Sequence, residues 1–105
     1  NPNEYAIFDA RVSISLNCIQ KLFNVNEAIL FPILSSRNKT VALGNKIIKN
    51  TAKTEFWKKA SLNNFYSQYL KILNTVAKEL NTNISTIEML LFAKAEELVE
   101  TTFKK

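Results

Sequence analysis

The chain has 105 residues, 47% apolar and 22% charged, with a formal charge of +5 and an isoelectric point near 9.4. That size and balance describe one folded domain with a single core and exclude a disordered polymer. The absence of histidine excludes His-based triads and the usual zinc sites, and one glycine with two prolines is too little turn chemistry for a sheet protein.

The opening Asn1-Pro2-Asn3 reads as a turn, and Tyr5, Ile7 and Phe8 as an apolar lead. Asp9 then has the chemistry of a helix cap, because its carboxylate can accept the unbonded N–H groups of a first turn. Val12, Leu16, Ile19 and Phe23 follow at steps of four, three and four, one face of a helix that ends near Asn24. Ser13, Asn17 and Gln20 fall off that stripe. Cys18 sits among Ile14, Leu16, Ile19 and Leu22, where it reads as a buried, inert thiol. It is the chain's single cysteine and forms no internal disulfide, so a reducing, cytoplasmic setting is the simpler expectation.

Residues 24–27 read as a connection and residues 28–34 as a short buried piece, bent or ended at Pro32. That apolar run falls far short of the roughly 20 residues that span a bilayer, so no membrane partner is expected. Residues 35–40 form an exposed polar loop. Around Gly44-Asn45, the apolar groups Val41-Ala42-Leu43 and Ile47-Ile48 read either as a short helix with a break or as two short turns.

A helical signal returns from Thr54 or Ser61 to Leu80, carried by Leu62, Phe65 or Tyr66, Tyr69, Leu73, Val76 and Leu80. Leu80-Asn81-Thr82-Asn83 closes it, asparagine being suited to a helix end. Ser85-Thr86-Ile87-Glu88 reads as a capping box, and Ile87, Leu91, Ala95, Leu98 and Phe103 continue the last helix almost to the end. The expected fold is an all-α single domain over residues 1–105, a compact bundle or orthogonal array of three main helices plus short helical pieces. No signal peptide is visible, and a start at Asn1 rather than Met is compatible with an excerpt of a longer protein.

Charge is polarised along the chain. Residues 37–59 hold Arg37, Lys39, Lys46, Lys49, Lys53, Lys58 and Lys59 against Glu55 alone, a local +6. Residues 79–100 hold Glu79, Glu88, Glu96, Glu97 and Glu100 against Lys94, a local −4. Thirteen asparagines and twelve lysines point to a coding bias, but such a bias does not by itself gather charge in this way. A basic segment neutralises phosphates and releases counterions, which marks nucleic acid as the partner to test; a solvated face with no partner is the bland alternative. Trp57, with Phe56 before it and Lys58-Lys59 after it, is either a core ring or a ring on which an unpaired base stacks. Ser35-Ser36-Arg37-Asn38 offers the donor types that contact phosphate oxygens, and also the composition of any soluble loop. Arg11 is a further phosphate contact or a partner for Asp9, although residues two apart on a helix do not face each other. Glu96 and Glu97 read as a solvated helix face.

The run Tyr5-Ala6-Ile7-Phe8-Asp9-Ala10-Arg11-Val12, with Phe31-Pro32 and Ser36-Arg37-Asn38 after it, resembles a group of bacterial proteins similar in fold to helix-hairpin-helix DNA glycosylases of the oxoguanine type. The resemblance implies Asp9 as the catalytic aspartate that assists cleavage between a flipped base and its sugar, with Val12 packed beside it. A carboxylate suits that step, because the departing base leaves a cation-like sugar. In such enzymes a glycine-containing hairpin, often with a catalytic lysine, precedes the aspartate; here eight residues precede it. A histidine frequent two positions later is here Arg11. If the chain is complete, no glycosylase turnover is expected of this domain alone; upstream elements carrying the hairpin would restore the glycosylase-like expectation.

These readings converge on a nucleic-acid-associated helical domain without a cofactor, its nucleic-acid contacts drawn from Arg11, Arg37, Asn38, Lys39, Lys46, Lys49, Lys53, Trp57, Lys58 and Lys59. The alternative is a small interaction or structural module that docks a protein partner or a second copy. Phe31, Trp57, Phe92 and Phe103 would supply its apolar surplus.

Overall fold

The fold is arranged around helix α1, Ala10–Leu22, whose residues 12–20 are all buried in the computed structural model. The structure describes residues 9–61 and 63–103; the expected apolar lead at residues 5–8 and the expected core position Leu62 lie outside them. Asp9 caps α1 as expected, its Oδ1 accepting from Val12 N at 3.0 Å. Around α1 pack α2 (Lys39–Thr54), α3 (Phe65–Glu79), α4 (Ile84–Ala93) and α5 (Ala95–Thr102). The domain is thus all-α, with five helices among the described residues.

A helix enclosed on every side is expected to be apolar all round. Yet α1 carries Ser13, Ser15, Asn17 and Gln20, none more than 1% exposed. A buried polar group is tolerable only when it is bonded, and each of these four is bonded to backbone. Ser15 Oγ donates to Leu91 O of α4 at 2.7 Å, and Ser13 Oγ donates to Pro32 O. Asn17 and Gln20 grip the backbone that follows α1. Asn17 donates to Phe31 O at 3.2 Å and accepts from Phe31 N at 2.9 Å; Gln20 does both with Ile29 at 2.7 Å.

That backbone is β1, Ile29–Leu30, which pairs in parallel with β2, Lys58–Lys59, in the register Ile29 to Lys58 and Leu30 to Lys59. In extended chain, alternate residues turn their polar groups to opposite edges. Ile29 and Phe31 therefore face the amides of α1. On the other edge, Ala28 O and Leu30 O accept from Lys58 N at 3.3 Å and Ala60 N at 2.9 Å. The short buried piece expected at residues 28–34 is this doubly held segment, and its Phe31 packs edge-on against Phe65 with ring centroids 5.5 Å apart.

Several boundaries differ from the sequence reading. The expected break at Gly44-Asn45 is absent, and α2 runs unbroken for 16 residues. Gly44 is there for space: a Cβ built on it would lie 2.7 Å from Val99 Cγ2 and 3.2 Å from Ile14 Cδ1, so the glycine admits α5 and α1 against α2. Asn38 belongs to that helix as its N-cap, accepting from Val41 N at 3.0 Å, rather than to an exposed loop. The third expected helix starts at Phe65, not at Thr54 or Ser61, because β2 occupies part of that interval. Its end is as expected, with Asn81 just beyond it at φ 55°. The capping box at Ser85 does not form: Asn83 is the cap, accepting from Thr86 N at 2.9 Å, and Glu88 instead accepts from Tyr69 Oη at 3.0 Å. Lys94, at φ −118° and ψ 25°, divides the expected last helix into α4 and α5.

Candidate functional site

Continuity of α2 decides how the basic segment is displayed. At about 100° per residue, Lys39, Lys46, Lys49 and Lys53 fall within roughly 80° of one another on the exposed side of the helix. The opposite side buries Val41, Gly44, Asn45, Ile48 and Ala52. No acidic residue lies on α2, so the lysine ridge has no counter-charge of its own. Lys58 and Lys59 of β2 are also exposed.

Beside this ridge lies an open groove of about 520 Å³ between the C-terminal half of α2 and the β1–β2 pair. Its floor is apolar, made by Leu30, Phe31, Ile33, Ala52, Trp57 and Ala60, and Lys49, Lys53 and Lys59 stand at its border. No acidic residue lines it. Trp57 is half-buried against the core, so it is both a packing residue and a wall of the groove.

Glu55, the one acid of the basic segment, is already engaged. Lys21 of α1 donates to it, and Trp57 Nε1 donates to its other oxygen at 3.2 Å. The hydrogen bond from Lys21 holds its carboxyl below the usual carboxylate range, with help from the indole, and outweighs the opposing effect of burial. Lys21 lies outside the basic segment in sequence, so no local pattern announces that pairing.

Among the described residues, the ion pairs are Arg11–Glu96 at 3.7 Å, Lys21–Glu55, and Lys94–Glu97 at 3.2 Å. None of the six lysines from Lys39 to Lys59 takes part. Arg37 is likewise exposed and outside these pairs. Arg11 and Asn38 differ, because both are drawn to Glu96 of α5: Asn38 Nδ2 donates to Glu96 Oε2, and Arg11 Nε also reaches Phe92 O at 3.5 Å. Glu96 therefore bridges the N-terminal ends of α1 and α2 and is more than a solvated acid. The structure assembles Lys49, Lys53, Lys59 and Trp57 at the groove and leaves Asp9, Arg11 and Asn38 off its lining.

Asp9 serves the first turn of α1, and the Asp9 to Arg11 contact gives way to Arg11–Glu96. Cys18 is fully buried, and burial pushes its thiol up to about 12, well away from a reactive thiolate. Among the described residues there is no group of His, Cys, Asp or Glu able to hold a metal ion, and no helix is long and apolar enough to cross a membrane. Elsewhere, α4 exposes Met89 and Phe92, 72% and 53% respectively. Of the four aromatics expected to be surplus, Phe92 is the one left largely open; Phe31 is buried, and Trp57 and Phe103 pack against the core. Comparison with protein-family models, with curated proteins and with solved structures finds no match.

Proposed function

We propose that the chain binds nucleic acid through phosphate contacts along the lysine ridge of α2, continued by Lys58 and Lys59. The observation that supports this is the alignment of Lys39, Lys46, Lys49 and Lys53 on one face of a helix without acidic residues, each exposed and outside the ion pairs of the described residues. A row of ammonium groups on a rigid element displaces the counterions condensed on a phosphate backbone. Such contacts position a nucleic acid without reading its sequence. This reading makes no use of Asp9, which caps α1 and is not among the residues lining the groove.

Titrating a labelled duplex at several salt concentrations tests it. Affinity that falls steeply as salt rises supports phosphate binding; no binding at low salt, or affinity indifferent to salt, removes it.

The protein-interaction alternative draws on Met89 and Phe92 of α4. A sedimentation profile that stays monomeric at high concentration counts against a second copy as the occupant of that face.

A further inference from the structure

Three of the helices end in the same way. After α1 the residue in left-handed backbone is Asn24, φ 49°, and the next N–H, Val25, reaches back to Gln20 O at 2.9 Å. After α3 it is Asn81, φ 55°, with Thr82 N donating to Ala77 O at 2.8 Å. After α2 it is Phe56, φ 59°, with Trp57 N donating to Ala52 O at 2.9 Å. This closure requires a positive φ that glycine or asparagine adopts readily and a bulky side chain does not, because its Cβ crowds the neighbouring carbonyl. The strained position at the end of α2 is thus held by a phenylalanine whose ring is not used for packing: Phe56 is 88% exposed, the most open large apolar residue described.

Phe56 adjoins Trp57, a wall of the apolar groove bordered by Lys49, Lys53 and Lys59. The indole is fixed by its bond to Glu55, and that acid is neutralised by Lys21. Trp57 thus stands beside the unpaired ammonium groups of Lys49, Lys53 and Lys59, and it is shared with a second groove on which Phe56 opens next to Lys58, Glu27 and the already engaged Glu55. A planar apolar ring with phosphates on either side of it matches both features. A duplex hides its base faces, whereas a single strand offers them.

We infer that Phe56 and Trp57 form a stacking platform for unpaired nucleobases, so that the chain prefers single-stranded to duplex nucleic acid. The inference rests on the phosphate reading of the α2 ridge and adds the choice of strand. Bases stack on Phe56 and against Trp57 while Lys49, Lys53 and Lys59 neutralise the flanking phosphates.

The test uses the whole chain with a labelled oligothymidylate and a labelled duplex of equal length, at matched salt, for the wild type and Phe56→Asn. Asparagine suits the backbone at this position, so the variant is expected to fold and to melt no lower than the wild type. The wild type is expected to bind the single strand more tightly and to show quenching of Trp57, its sole tryptophan. Phe56→Asn is expected to lose about 5- to 150-fold in single-strand affinity with duplex affinity unchanged. Equal binding of both nucleic acids, with no effect of Phe56→Asn, overturns the platform while leaving the lysine ridge intact. No binding of either at low salt overturns the ridge and the platform together.

Discussion

The side-chain amide of Gln20 closes a two-way pair with the backbone of Ile29, donating to its oxygen and accepting from its nitrogen, each at 2.7 Å. Asn17 repeats the arrangement one helical turn earlier on Phe31. Two amides on a central helix thus act as the missing neighbour strand of β1, whose other edge is paired with β2. They hold β1 where it forms the floor of the groove.

Replacing Gln20 with alanine removes both bonds and leaves an N–H and a C=O of Ile29 unpaired in the interior. Loss of about 2–6 kcal/mol is expected, since each of the two stranded groups costs about 1–3 kcal/mol. Urea denaturation measures it. A change below about 1 kcal/mol means that the backbone of β1 finds other partners.

Gly44→Ala is expected to act against the ordinary helix preference. In an exposed helix interior the change stabilises by about 1 kcal/mol. Here the new methyl would lie 2.7 Å from Val99 Cγ2, and both Val99 and Ile14 are buried. A loss of about 1–3 kcal/mol is expected from overpacking, with the cost smaller in a Val99→Ala background. Thermal melting of the four proteins in that cycle checks both parts.

What was legible in the sequence divides by the range of the interaction. Asp9 as a cap and Asn81 as a helix end are local features, and both appear. Gly44-Asn45 read locally as a break, whereas its cause lies on α5 and α1, far along the chain. Ser85 lost the cap to Asn83 because two suitable residues stood close together and the pattern favoured the wrong one. Ser13, Asn17 and Gln20 lay off the apolar stripe, as solvent-facing residues do; their partners are remote backbone atoms that no periodicity reveals. The lysines of the candidate site were legible one by one, but their alignment required an unbroken α2. The apolar run that forms β1 was legible as a buried piece, but its pairing with β2, which makes it a groove floor, was not, because a two-residue parallel pairing leaves no trace in composition.

Stability is expected to decline above pH 9. Burial raises Cys18 from its ordinary 9.0 to about 12, so an unfolded chain releases that proton well before the folded one. The stabilisation is fully present below pH 9.0 and is lost as pH rises toward about 12, at about 1.4 kcal/mol per pH unit per group. Tyr69 acts in the same direction above its ordinary 10.0, raised first by burial and then by its bond to Glu88. Urea midpoints measured from neutral pH upward are expected to fall less steeply in Cys18→Ala than in the wild type. Identical slopes contradict the assignment.

The lysine ridge is tested most directly by comparing the wild type with a Lys46→Gln, Lys49→Gln, Lys53→Gln triple variant, by fluorescence anisotropy of a labelled duplex between about 50 and 200 mM salt. All three side chains are exposed, so the variant is expected to fold as the wild type does. A linear fall of log affinity with log salt is predicted for the wild type, with the slope in the variant shallower by about 0.9 for each phosphate contact removed. Equal slopes and equal affinities for the two proteins would contradict the account.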